Sequence, residues 1–283
     1  RYDLIYLQRE CLPFGQPWLE RSFKKQGLKT IFDYDDALFI FKGSTHNKLA
    51  DRFKRPEKYR EIFGLVDCVL AGNDWLRDQA AEYCSEARTF EVAENLERYT
   101  LRPSEVESNT VTIGWLGSPS TEKYLKLIEP ALREVCQRFP GTKLKVIGGG
   151  VFQPDDIPVE QVLWIMETEV EQLHTFDVGI MPLPLEEWSK GKSGGKARTY
   201  MAAGLPVVAT GIGYNCELIE DGQTGFLVTE QGEWVDILSR LIEDPDLRQS
   251  IGDAARQYVT EHFALAKLGP QFADILREVA GRD

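Results

Sequence analysis

DVGIMPLPLEEWSKGKSGGKARTYMAAGLPVVAT, residues 177–210, holds a short apolar run, a basic glycine-rich turn, a helical stretch, a glycine and a second apolar run. Short apolar runs that end in Gly, Pro or Asp and alternate with longer amphipathic segments read as parallel strands joined by crossover helices. The alternation continues on both sides. Downstream comes GFLV (225–228); upstream come VTIGWLG (111–117), KLKVIGG (143–149) and VLWIM (162–166), with a helix expected from about Thr121 to Phe139. The first third offers the strands DLIYLQ (3–8), KTIFDY (29–34), VDCVLAG (66–72) and RTFEVA (88–93). Between them lie the helices PWLERSFKKQG, started by Pro17 and stopped by Gly27, and DWLRDQAAEYC, capped by Asn73. Three amphipathic helices close the chain. The fold class is therefore α/β, with a complete doubly wound parallel-sheet unit in the second half and only the later part of one in the first.

The polar, aperiodic residues 95–110 read as the linker between domains. At 283 residues the chain suits about two domains. With 42% hydrophobic and 28% charged residues and a mean hydropathy of −0.31, it belongs to neither the disordered nor the membrane-spanning class. Its longest uncharged stretch, Thr199 to Cys216, carries three glycines and a proline and cannot serve as a spanning helix. A net charge of −12 opposes nonspecific binding to nucleic acid or anionic lipid, so any anion site must be local. Five scattered cysteines with no CxxC pair read as reduced thiols, which points to the cytoplasm. The chain opens on Arg1 and the apolar run Leu4–Leu7, and reads as starting inside a domain.

In open parallel sheets ligands bind beyond the carboxyl ends of the strands. The segment 189–198 sets Lys190, Lys192, Lys196 and Arg198 around a pair of glycines at such an end. The amides and dipole of the following helix, with Lys192 and Lys196, suit a diphosphate; the bland alternative is a solvated basic turn. A P-loop is excluded, because Glu186 stands where its first glycine belongs. GWLGSPS (114–120) either admits a ligand against bare backbone or is an ordinary strand-to-helix turn, with Ser118 or Ser120 as a cap. KVIGGG (145–150) is not GxGxxG, since Gln153 takes the last position, and reads as a turn. FDYDDALF (32–39) places Asp33, Asp35 and Asp36 at a strand end, either for acid–base or metal chemistry or as a polar end with a helix cap. His46, His174 and His262 form no HxxxH or HExxH pattern and read as surface or packing residues.

The order of motifs carries a resemblance. YMAAGLPVVAT, GIGYNCELIEDGQTGFLV and EWVDILSRLIEDPDLRQSIGDAARQYV are similar to the nucleotide-sugar-binding half of retaining GT-B glycosyltransferases of family 4, also called glycosyl transferases group 1, and IGWLGSPSTEKYL and FDYDDALF resemble a bacterial branch of it. The resemblance implies two Rossmann-like domains, the first incomplete. Residues 1–108 would form a partial acceptor-side domain, 109–269 the donor-binding domain, and 270–283 a helix crossing back to the first. It implies a nucleotide-diphosphate sugar as donor substrate, no cofactor, no metal, and a glycan or lipid-linked acceptor. It also places the protein in the cytoplasm, with contact to the inner membrane as an option. Carried onto this chain, Gly117, Ser118 and Gly195 approach the donor phosphates, Lys192 and Lys196 neutralise the leaving diphosphate, Asn215 and Glu217 face the donor, and Asp35 stands where the family has a site histidine. The family's Glu-x7-Glu pair falls on Gly191 and Thr199, so both carboxylates are missing and Thr199 alone could bond a hydroxyl. The family's opening glycine-rich loop has no counterpart, and the chain resembles an N-terminally truncated member. The alternative reading is a noncatalytic nucleotide-sugar-binding or interaction protein; a metal-dependent hydrolase built on Asp33, Asp35 and Asp36 is a third.

Overall fold

The computed structural model describes residues 2–40, 55–102 and 110–281. β1 (Ile5–Gln8), β2 (Thr30–Tyr34), β3 (Cys68–Ala71) and β4 (Ala87–Thr89) form a parallel sheet in the order β1-β2-β3-β4. β5 (Val111–Leu116), β6 (Thr142–Ile147), β7 (Val159–Val162), β8 (Val178–Met181), β9 (Val207–Thr210) and β10 (Phe226–Val228) form another in the order β10-β9-β8-β5-β6-β7. The chain divides into two compact units: Arg1–Ala93 with Glu186–Ser193 and Ala266–Asp283, and Glu94–Leu185 with Gly194–Leu265.

In the first unit the strand period of two sends alternate side chains of β2 and β3 to opposite faces. Phe32, Tyr34, Val69 and Ala71 pack with Ile62 and Phe63 of the helix Glu57–Leu65 and with Leu76 and Ala80 of the helix Asp74–Ala81. Ile31, Cys68 and Leu70 take the other face, against Phe272, Ile275, Leu276 and Val279 of the closing helix Leu265–Ala280. Arg88 on β4 holds Glu278 of that helix with two bonds of 2.6 and 2.7 Å. Local signals act as expected: the helix Trp18–Lys25 follows Pro17 and ends before Gly27, whose φ is +67°, and Asn73 Oδ1 accepts the Leu76 amide at 2.8 Å.

The second sheet reverses its winding between β5 and β8, which makes that edge the switch point where loops part. Two glycines let helices and loops close on it. A Cβ on Gly114 would meet the Phe176 ring at 1.9 Å, and one on Gly179 would meet the Tyr200 ring at 2.5 Å.

The structure corrects the sequence reading in three places. VLWIM is not a strand: β7 ends at Val162, and Leu163 to Met166 form an exposed segment fastened by a bond from Trp164 Nε1 to Glu169 Oε2. The expected helix 121–139 is broken into Pro119–Glu122, a 3₁₀ turn Lys123–Leu127 and Glu129–Arg138. Pro130 lacks the amide that a continuous helix needs and instead sits at the start of the last piece. Residues 95–102, expected as linker, are held on the second unit, where Arg98 and Tyr99 bond Glu169 at 3.0 and 2.8 Å; residues 103–109 lie outside the described ones.

Gly114→Ala is expected to destabilise the second unit by about 1–3 kcal/mol, the usual cost of overpacking. Chemical denaturation followed by tryptophan fluorescence measures it, with Gly114→Ala/Phe176→Leu recovering part of the loss. An unchanged midpoint in the single variant would contradict the packing.

Candidate functional site

In the second unit, β5 delivers Gly117 to the sheet's carboxyl edge, where its amide donates to the Ile147 carbonyl at 2.9 Å. No side chain fits at this position: a Cβ would meet the Trp115 ring at 2.3 Å and Lys196 Cε at 2.8 Å. The Lys196 ammonium lies 5.5 Å from the Trp115 ring centroid, a cation–π arrangement that leaves its stem along Gly117. Lys196 belongs to the first turn of the helix Gly195–Ala202, which Gly194 enters at φ +66°. A Cβ on Gly194 would meet Tyr214 at 2.8 Å, so both the left-handed turn and the close approach demand glycine. The amides of Gly195, Lys196 and Ala197 precede the first intrahelical bond, from Arg198 to the Gly194 carbonyl. A cation, a bare backbone and a helix N-terminus thus gather at one point, with exposed Ser118, bonded to Ser120 Oγ at 2.9 Å, on the loop that continues from Gly117.

The other donor-side residues divide. Thr199 is half-buried one turn into the helix, and Glu217 is exposed on the short helix Asn215–Leu218. Asn215 turns inward: its amide donates to the Thr210 carbonyl at 3.0 Å and its Oδ1 is buried without a hydrogen-bond partner. Arg198, grouped with the cations of the basic turn by sequence, is 1% exposed and bonds Glu94 at 3.3 Å. Burial pushes the Glu94 carboxyl up despite the neighbouring guanidinium. Arg198 is a core residue and meets no external anion.

The glycine cluster after β6 is more than a turn. Glu122, fully buried, accepts amides from Gly150 at 2.9 Å, Val151 at 3.0 Å and Phe152 at 2.9 Å. Burial alone would raise this carboxyl, but those three amides and Gln161 together hold it below the usual carboxylate range. The cradle that Gly148 (φ +79°) and Gly150 (φ +149°) create is filled by the protein's own anion.

In the first unit, Asp35 and Asp36 follow β2 and share the Arg9 guanidinium, at 3.1 and 3.0 Å. Arg9 has φ +69°, a left-handed conformation that costs a non-glycine residue energy and aims its side chain at the two acids. Asp36 also bonds Lys192 at 2.5 Å, and the Lys192 ammonium lies 4.2 Å from the Trp188 ring centroid. Asp33 accepts a bond from the Tyr6 hydroxyl. Each acid of FDYDD is therefore already partnered, and no group of three metal-ligating side chains occurs among the described residues. Asn73 fixes the Glu186–Ser193 segment onto this unit by donating to the carbonyls of Lys190 and Lys192, both at 3.1 Å. A Cβ on Gly72 would meet Asp35 and Ser193 at 3.2 Å. Asp35 and Lys192 are thus brought together on the first unit, and Gly117, Ser118, Gly195 and Lys196 on the second. Arg9, Glu122 and the second bond of Asn73 escape sequence reading, since none belongs to a recognisable spacing.

The remaining features are quiet. Burial pushes the thiols of Cys68 and Cys136 up to about 11, so they stay protonated. His174 bonds the Thr100 carbonyl at 2.7 Å, and the His262 ring lies tilted against Tyr258, centroids 4.5 Å apart; His46 lies outside the described residues. No helix among the described residues is long and apolar enough to cross a membrane.

Comparison with known proteins adds the family. Residues 109–244 match the family described as Glycosyl transferases group 1. That match covers just under half of the chain. The chain is 32% identical over 81 residues to the trehalose synthase of Pyrococcus horikoshii, covering 29% of this chain and 20% of the relative. It is 26% identical over 186 residues to the D-inositol 3-phosphate glycosyltransferase of Corynebacterium aurimucosum, covering 59% and 43%. The chain thus spans less than half the length of these two relatives. The Anabaena protein HepE, solved in complex with UDP and glucose, superposes with a TM-score of 0.74 at 19% identity, over 97% of this chain and 77% of that one. That likeness fixes the fold as GT-B, two parallel-sheet α/β units.

Two outcomes follow from these geometries. Glu122→Gln should cost about 1.5–3 kcal/mol at neutral pH, the size of hydrogen bonds to a charged group. The folded carboxyl titrates below its unfolded value of about 4.3, so the contribution is complete above that pH and disappears as pH falls through the folded value. The gap between wild type and variant should therefore close in acid, as a pH series of urea melts would show; a gap independent of pH would refute the assignment. Arg198→Ala should cost about 3–5 kcal/mol of stability, because it strands a buried carboxylate, and Arg198→Ala/Glu94→Gln should recover much of it.

Proposed function

We propose that this protein transfers a sugar from a nucleotide-diphosphate donor to an acceptor hydroxyl with retention of anomeric configuration. The observation that carries the reading is the contact between Lys196 and Gly117, which joins two loops of the group 1 segment at a helix N-terminus. A leaving diphosphate there would meet an ammonium, first-turn amides and the positive end of the dipole, and stabilising charge as it develops is the main catalytic term in such a departure. The bond from the anomeric carbon to the diphosphate oxygen breaks while the acceptor oxygen bonds to the same face, and the departing diphosphate takes the acceptor proton. Gly117, Ser118 and Gly195 are assigned to the phosphates, and Thr199 and Glu217 to donor hydroxyls. Asn215 is assigned to shaping the turn that precedes Glu217. The first unit is assigned to the acceptor, with Asp35 contacting it. Lys192 remains a candidate second cation for the diphosphate; its bond to Asp36 must open for that role.

A second reading is favoured by Gly191. A Cβ there would meet Ala37 Cβ at 2.5 Å, so the family's first acid cannot be accommodated on this backbone. A nucleotide-sugar-binding protein without turnover is consistent with that loss.

Calorimetric titration with UDP, GDP and ADP separates these readings from a solvated turn. Lys196→Ala should weaken the preferred nucleotide by about 1.5–3 kcal/mol, roughly ten- to 150-fold, as loss of a charge-assisted hydrogen bond does. Equal affinity in wild type and variant would defeat the diphosphate assignment. Donor turnover by the wild type, lost in Asp35→Asn, would exclude the noncatalytic reading.

A further inference from the structure

The first unit carries an open cavity of about 370 Å³, within the usual size of small-molecule sites. One wall is aromatic: Phe14, Tyr59 and Trp188 line it. The polar part of the lining is formed by Arg9, Asp36 and Lys58.

The charges on that part are already compensated. The Lys58 ammonium is buried, donates to the carbonyls of Leu12 at 2.7 Å and Pro13 at 3.0 Å, and pairs with the Glu10 carboxylate at 3.5 Å, which balances its charge. Arg9 is bonded to Asp35 and Asp36, and Arg55 stands exposed at the rim. Asp36 receives one bond on each oxygen, from Lys192 and from Arg9. A carboxylate has about four acceptor sites, so Asp36 can still accept hydroxyl protons. An anion would find the inner cations engaged, and an alkyl chain would leave the remaining acceptor sites of Asp36 buried without a donor, which is unfavourable. A ligand with one apolar face and a rim of hydroxyls fits both parts of the lining.

We infer that this cavity binds a neutral pyranose unit of a carbohydrate acceptor, stacked on the aromatic wall and hydrogen-bonded through its hydroxyls to Asp36. The inference rests on the reading that the first unit holds the acceptor, and it narrows that acceptor from glycan or lipid to an uncharged sugar. Trp188 belongs to the same Glu186–Ser193 segment as Lys192, so the stacked ring would share its platform with the cation that Asp36 holds.

Saturation-transfer NMR of the whole chain tests this. The probes are the α- and β-methyl glycosides of glucose, galactose, mannose and N-acetylglucosamine, with glucose 1-phosphate and UDP measured separately. At least one glycoside should receive saturation on its ring protons. That signal should fall fivefold or more in Phe14→Ala, a half-exposed site whose truncation spares the core, and in Asp36→Asn. UDP should respond equally in wild type and Phe14→Ala. Silence of all eight glycosides with a folded chain overturns the inference, as does a signal undiminished in Phe14→Ala, or glucose 1-phosphate binding more than tenfold tighter than every glycoside. Glycoside binding with UDP silent counts against the donor reading alone and leaves the cavity's assignment standing.

Discussion

The hydroxyl of the fully buried Tyr200 accepts the Leu116 amide at 2.6 Å. This bond ties the helix that carries Lys196 to the strand end that carries Gly117, so the two loops keep a fixed mutual position whatever their own mobility. It exists because Gly179 has no side chain to meet the Tyr200 ring. A buried hydroxyl that lost its partner would be costly, which makes the register of the helix a condition of the unit's stability. The chemistry proposed for Lys196 therefore depends on a tyrosine and a glycine that would touch no ligand.

The basic turn looks in sequence like a single anion trap in an acidic chain. In the folded protein its cations go to different tasks. Arg198 neutralises Glu94 in the core, Lys192 bridges Asp36 and Trp188, and Lys196 stays with the glycine loop after β5. A helix presents residues three or four apart on one face, so Lys196 and Arg198, two apart, were bound to point differently. Spacing along the helix thus sorts the cations more sharply than their density in the sequence suggests.

Most strands were legible because period and punctuation agree: DVGIMPL, LPVVAT and GFLV each pair an apolar run with a glycine, proline or aspartate. VLWIM misled because an apolar run at a sheet edge need not be buried, and Trp164 satisfies its indole through Glu169 instead. The candidate site was legible where it depends on glycine and lysine in a motif. It was hidden where it depends on partners distant in sequence, such as Arg9 with Asp36 or Glu122 with the Gly150 amide. Backbone strain at Arg9 likewise leaves no trace in the letters, since arginine shows no preference for positive φ.

The first unit is assembled from three separate pieces of the chain, the last beginning at Ala266. During synthesis its four strands emerge early, yet the face bearing Ile31, Cys68 and Leu70 stays uncovered until Phe272 to Val279 arrive. The second unit, made of residues 94–185 and 194–265, can complete its core first. Vectorial growth would thus invert the order of the sequence, with the later-encoded unit maturing before the earlier one, whose exposed apolar face would be the vulnerable surface of the nascent chain.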